Sequence, residues 1–289
     1  MQINKYVSSR AVALETTLLI HGVPQASALG LANELGEIVE AEGSTPALVG
    51  VIDGVATVGM GMGQLQAMLE HGEVTKANTA NLGVLMNQGQ HAATTVSTTM
   101  EIAAFAGLRF FATGGIGGVH EGYGTRLDIS ADLLAFTRFP IAVVTSGVKS
   151  ILDVVSTREA LESLGVTVVG WKTDSFPAFY LRESEAQVDV RFDDADELAA
   201  FVRVELARSG RGIVIANPIP EGDELDAGQW SKWLKRAKKL AGTKGANGRE
   251  VTPAILGHLH EVSEGQTLGA NIALVKSNAR VAGMIESRL

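Results

Sequence analysis

Short runs of β-branched and other apolar residues alternate with longer stretches whose apolar residues recur every three or four positions, and this alternation restricts the fold more than any other feature. The runs ALVGVIDG (47–54), LRFFAT (108–113), IAVVTS (141–146), VTVVGW (166–171) and GIVIAN (212–217) have the length and composition of buried strands. Between them SALGLANELGEIVEAEG, TTVSTTMEIAAFAG, ILDVVSTREALESLG and DELAAFVRVELARSG read as amphipathic helices, several ending at glycine. Parallel strands need crossover connections, and helices supply them. The expected fold is therefore α/β, with a mainly parallel central sheet and flanking helices in α/β/α layers. VIDGVATVGM adds one antiparallel hairpin around Asp53-Gly54.

No repeat or low-complexity tract divides the 289 residues, so a single catalytic domain over 1–289 is expected. The least regular stretch is 217–250, which opens with a proline turn, carries a basic helix with Trp230 and Trp233, and runs into a glycine-rich loop. No apolar run approaches the roughly 20 residues a bilayer crossing needs, so no membrane partner is expected. The start, MQINKYVSSR, lacks a secretory h-region. There is no cysteine, which removes disulfides and thiolate chemistry and fits a cytoplasmic location. A net charge of -8 argues against nucleic acid, and any phosphate ligand must be held by local donors.

Chemistry concentrates in ATGGIGGVHEGYGTRLDISADL (112–133) and TSGVKS (145–150), each following a strand where α/β sheets bind ligands. The glycines suit either tight turns or backbone N–H groups converging on a phosphate. TGGIGG matches neither a dinucleotide fingerprint nor a P-loop. Lys149, ahead of the apolar stretch ILDVV, is either a phosphate contact or an amine able to form a Schiff base. Asp128 and Asp132 read as a helix N-cap cluster or as hard-oxygen ligands for Mg²⁺ or Mn²⁺. Glu15, in VALETTLLIHGVP, is either a solvent-facing edge-strand residue or a carboxyl whose apolar surroundings make it a proton donor. His21 and His120 read as ordinary polar contacts.

Taken together, LETTLLIHGVP, GVIDG, Lys76, TTVSTTM, ATGGIGGVH, DISADL, SGVKSILD, TDSFPAFY, NPIP and TLGANIALVKSNA resemble the pseudouridine-5′-phosphate glycosidase family, also called indigoidine synthase A-like. The motifs run in family order over almost the whole chain. The resemblance implies cleavage of the C–C glycosidic bond of pseudouridine 5′-phosphate to uracil and ribose 5-phosphate, with Mn²⁺ as cofactor and a homotrimeric assembly. It also leaves room for a relative that joins ribose 5-phosphate to another aromatic acceptor, or for a sugar-phosphate binding protein without turnover.

By motif matching, Lys149 corresponds to the nucleophile, Glu15 to the proton donor and Asp128 to the metal ligand. Lys76, Val96 (through its backbone), Ser130, Ala131 and Asp132 correspond to substrate-binding positions. Thr113 and His120 match positions around the sugar phosphate, and Asn271 the contact to the uracil edge. Three departures stand out: ANTANLGVLMNQG after Lys76 replaces a more basic sequence, Glu121 stands where arginine is common, and Ser175 replaces an acid in TDSFPAFY.

Overall fold

The expected strands assemble into one sheet in which β1 (Ile3–Lys5), β4 (Val55–Val58), β3 (Pro46–Ile52), β2 (Val12–Glu15), β7 (Phe110–Ala112), β8 (Ala142–Thr145), β11 (Ile213–Ala216), β9 (Val168–Trp171) and β10 (Val190–Phe192) are successive neighbours. The structure, a computed structural model, describes residues 1–124, 127–243 and 251–289. Every pair in that row is parallel except β3–β4, the hairpin whose turn residues Asp53 and Gly54 both have positive φ. Two short strands, β5 (Thr75–Ala77) and β6 (Ala92–Thr94), form a parallel pair, and β6 pairs with the far end of β3.

The helices named from spacing are α1 (Gln25–Ala41), α4 (Val96–Phe105), α6 (Val154–Ser163) and α7 (Ala195–Ser209), with the shorter α2 (Met62–Glu70) and α3 (Leu82–Asn87) between the first two. Helix α7 stops at Gly210, whose left-handed φ of 63° accepts a C-cap that a β-carbon would strain. The stretch 217–250 contains α8 (Ala227–Thr243), with Trp230 and Trp233 buried, and the glycine-rich continuation at 244–250 lies outside the described residues. It is followed by α9 (Val251–Val262) and the long α10 (Gln266–Glu286). Among the described residues no helix is long and apolar enough to cross a membrane.

The sheet is apolar on the strands that matter most. Val12, Ala13, Phe110, Phe111, Val143 and Val144 have no exposed surface. Truncating either phenylalanine to alanine would cost about 3–5 kcal/mol through lost burial and the cavity left behind.

Strand β2 was readable as an edge segment with Glu15 in water; it is instead flanked by β3 and β7, so its last residue is interior. Just past Glu15 the ladder changes hands: β3 pairs with β2 up to Val49 and with β6 at Gly50 and Val51. Buried threonines seal the junction. Thr16 and Thr94 both donate to the Val49 carbonyl, at 3.0 and 2.8 Å, and Thr94 N–H donates to Thr16 Oγ1 at 2.9 Å. Leaving any of these buried groups unpaired would cost about 1–3 kcal/mol. The result brings β5, carrying Lys76, alongside the end of β2, carrying Glu15.

Candidate active site

A cavity of about 490 Å³ opens where β2, β5, β7 and β8 end, and Glu15, Lys76, Lys149 and Asn271 all line it. Beyond β2 the chain makes a π-helical turn, Leu18–Gly22, a wide turn often found at functional sites. That turn brings Leu18 and His21 into the same wall.

Lys149 is held by backbone, not by a helix end. Lys149 N–H donates to the Ile116 carbonyl and Ile116 N–H to the Gly147 carbonyl, both at 3.0 Å, so the two glycine-bearing segments form a short parallel bridge past β7 and β8. Helix α6 begins only at Val154, further along than the apolar stretch after Lys149 implies. Gly147 is required on two grounds: its φ is 80°, and a β-carbon there would lie 1.8 Å from the Pro177 carbonyl oxygen. In TGGIGG the glycines serve close approach. A β-carbon at Gly115 would meet the Phe179 ring at 2.5 Å, and one at Gly117 would meet Ser130 Oγ at 2.2 Å.

Glu15 is half-buried at the cavity wall, and its loss of solvent pushes its carboxyl above the ordinary carboxylate range. Lys149, a hydrogen bond from Thr113 Oγ1 and Lys76 act against the rise, while Asp132 adds to it. Burial and then Lys149 hold the Lys76 amine below the ordinary lysine range, with Glu15 opposing. His21 is lowered by burial and by Lys76. The site therefore favours a protonated acid beside an amine that gives up its proton readily.

The other matched residues take different places. Thr113 belongs to the acid, since its hydroxyl donates to Glu15. Asp132 is buried and accepts from Ser97 N–H at 2.9 Å and Gly117 N–H at 2.8 Å, tying the start of α4 to the glycine loop. Val96 opens α4 with its side chain buried. Ser130 caps α5 (Ala131–Phe136) by accepting from Asp132 N–H at 3.2 Å, and Ala131 is that helix's first residue. Asp128 precedes the helix, so the two aspartates do not share a helical face. It is half-exposed, with Oδ1 3.9 Å from His120 Nε2, and neither residue lines the cavity.

The departures from the family pattern have local explanations. Glu121 pairs with Lys238 of α8 at 2.5 Å, which compensates its charge. Asn81, in the segment after Lys76, donates to the Lys76 carbonyl at 3.1 Å and braces β5. The Ser175 hydroxyl accepts from Ser184 N–H at 2.9 Å and closes the TDSFPAFY loop.

Sequence reasoning passed over several wall residues. Phe179 is buried with φ of 64°, an unusual conformation for a bulky residue, worth about 1–2 kcal/mol of strain and held by its N–H donating to the Ser146 carbonyl at 2.9 Å. Tyr180 stacks edge-on against it and against Trp230. On α10 one face carries Thr267, Asn271 and Asn278 at four- and seven-residue spacing. Asn278 Nδ2 donates to the Thr113 carbonyl at 2.7 Å and its Oδ1 accepts from Asn217 Nδ2 at 2.9 Å, lashing the ends of β7 and β11. Asn271 Oδ1 sits 3.2 Å from where a Gly114 side chain would begin. That helical spacing was present in TLGANIALVKSNA and could have revealed the face.

A family profile described as indigoidine synthase A like protein matches residues 5–288. The chain belongs to that family. A pseudouridine-5′-phosphate glycosidase of Dinoroseobacter shibae is 44% identical over 95% of this chain and 90% of its own length. One from Caldanaerobacter subterraneus subsp. tengcongensis is 43% identical over 96% and 91%. Among solved structures, an indigoidine synthase A-like protein of Thermotoga maritima superposes with a TM-score of 0.90 at 34% identity, covering 99% of this chain and 96% of that one. The prealnumycin C-glycosynthase AlnA, solved with ribulose 5-phosphate, gives 0.91 at 31% identity over 100% and 97%. The mainly parallel sheet with flanking helices is the fold of these family neighbours.

Proposed function

We propose that this protein is a pseudouridine-5′-phosphate glycosidase that reversibly cleaves the C1′–C5 bond to give uracil and ribose 5-phosphate. One observation carries the reading: a half-buried carboxyl raised toward its protonated form shares a cavity with two lysines, one of them lowered toward its neutral form. The full-length similarity to enzymes bearing that name supports it.

Uracil departs poorly through carbon, so the sugar must become an electron sink. Glu15 protonates the ring oxygen as the Lys149 amine attacks C1′, opening the ribose and joining nitrogen to C1′. The new ammonium passes a proton to the Glu15 carboxylate, the freed nitrogen lone pair forms an iminium as the C1′–C5 bond breaks, and the bond pair stays on uracil, whose C5 takes that proton from Glu15. Water releases ribose 5-phosphate and restores the amine. Lys149 lies close enough to Lys76 to help lower that amine, and the Thr113 hydroxyl fixes the Glu15 carboxyl.

A divalent cation, Mn²⁺, belongs to the proposal. Among the described residues no group of three acidic, histidine or cysteine side chains could enclose one. Asp128 with His120 nearby suits a cation that keeps most of its ligands from water and phosphate. Such an ion would supply charge neutralisation for the phosphorylated sugar. The proposal extends to a homotrimer in the cytoplasm; exposed Tyr123, Leu127, Ile129 and Leu134, clustered in sequence around Asp128, offer an apolar surface for subunit contact. Light scattering reads the assembly.

The likeness to AlnA favours a second reading, synthesis of a C-glycoside on another aromatic acceptor. Incubating the protein with Mn²⁺ and pseudouridine 5′-phosphate, then assaying uracil, tests the first reading. Release of uracil supports it; no uracil release, with adducts formed only on other acceptors, favours the second. Borohydride should trap a ribose 5-phosphate adduct on the SGVKSILD peptide.

A further inference from the structure

The cavity wall is drawn from two kinds of element. Glu15, Lys76, Lys149 and His21 belong to strands or follow them, while His260 comes from α9, Leu268 and Asn271 from α10, and Phe179 from the loop after β9. His260 enters no step of the mechanism above, yet its ring is held with care. Its Nδ1 lies 2.9 Å from Thr267 Oγ1, and Thr267 Oγ1 lies 2.9 Å from Ser263 Oγ. Both hydroxyl-bearing residues are fully buried. With Nδ1 committed, Nε2 is the nitrogen left for the cavity that the residue lines. Thr267 and Asn271 are one helical turn apart on α10, so the hydroxyl that holds the imidazole and the Asn271 amide share one face of that helix. Burial lowers the His260 pKa, so the ring presents a neutral donor or acceptor.

We infer that His260 is a specificity-determining residue whose Nε2 hydrogen-bonds a carbonyl or N–H on the edge of the heterocycle, alongside Asn271. The inference rests on the glycosidase reading. A diketopyrimidine presents carbonyl and N–H groups in alternation around its edge, and two adjacent neutral groups read more of that pattern than one amide does. Phe179 supplies the apolar wall beside them, and its strained backbone keeps the ring against Gly114 and Gly115.

Steady-state kinetics in the synthetic direction, with uracil and ribose 5-phosphate varied separately, test this. Glutamine can place an amide group near the Nε2 position, whereas asparagine mimics only Nδ1. His260→Leu and His260→Asn should raise KM for uracil about tenfold, the worth of one neutral hydrogen bond. His260→Gln should restore most of it. KM for ribose 5-phosphate and the yield of the borohydride adduct should stay within about twofold of wild type in all three. Thr267→Val, which frees the ring without removing it, should give a smaller rise in the same constant. A purely structural histidine predicts the reverse order, with asparagine better tolerated than glutamine, or both KM values rising together; either result, or unchanged uracil KM in His260→Leu, overturns the inference. If the wild-type protein neither cleaves pseudouridine 5′-phosphate nor forms the adduct, the glycosidase reading falls and takes this inference with it. An active wild type with any of the contrary patterns sinks the inference alone.

Discussion

Glu15, Lys76 and Lys149 come to the cavity from the ends of strands or from a segment bridged to one, whereas His260 and Asn271 come from α9 and α10. On the strand side position is set by backbone ladders that leave little freedom: β2, β5 and the Ile116–Val148 bridge each place one side chain. On the helix side position is set by side-chain hydrogen bonds such as His260 to Thr267. The two sides also differ in charge. The lysines act on the protonation of Glu15, and Lys149 and Glu15 on that of Lys76, while the helix groups are neutral polar residues beside aromatic surface. Under the proposed function the contrast assigns chemistry to the strands and selection to the helices. Changes on the strand side should lower kcat, and changes on the helix side should raise KM for one substrate.

The largest effect belongs to Lys149→Arg, because a guanidinium keeps the charge and stays protonated. Turnover should fall on the order of 10⁴-fold or more, and the borohydride adduct should vanish from the SGVKSILD peptide. Substantial turnover with a raised KM would make Lys149 a binding residue and erase the division. An adduct on Lys76 would keep the chemistry on the strand side but move the nucleophile.

Glu15→Gln should lower kcat by about 10²–10⁴-fold with binding of ribose 5-phosphate preserved, since the amide retains shape but donates no catalytic proton. Single-turnover rates and a binding titration separate the two. Wild-type rates should also fall as pH rises through the raised Glu15 pKa, a limb that the glutamine variant lacks.

On the helix side Asn271→Ala should raise KM for uracil about 10- to 100-fold while leaving adduct formation with ribose 5-phosphate intact. A fall in kcat with unchanged KM would place Asn271 with the chemistry.

The smallest effect is on stability. Folded Glu15 holds its proton more tightly than unfolded Glu15, so its contribution is fully present below the unfolded value of 4.5 and is lost as pH rises through the raised folded value. Glu15→Gln does not ionise. It should therefore melt above wild type at pH 8, by about 2–4 °C for each kcal/mol relieved, with the gap closing near pH 4. Melting curves across pH give the answer, and an unchanged gap would mean that burial of Glu15 costs nothing.

Local pattern alone determined the α/β class, the strands β3, β7, β8, β9 and β11, and helices α1, α4, α6 and α7, because side-chain periodicity is a property of neighbouring residues. The Asp53-Gly54 hairpin was legible for the same reason, since turn chemistry needs only adjacent residues. The motif set also placed Glu15, Lys76, Lys149 and Asn271 in one site. Only the tertiary structure decided that β2 is interior, because VALE reads alike at an edge or in the middle until β3 and β7 take up both sides. The same holds for the protonation of Glu15, which depends on burial and on lysines 61 and 134 residues away in the chain. It decided too that Thr113 serves the acid and that Asp132 binds backbone N–H groups. Phe179, His260 and Asn278 escaped notice because each acts through residues distant in sequence. A lone aromatic, imidazole or amide carries no signature until the fold supplies the loop, hydroxyl or strand end it meets.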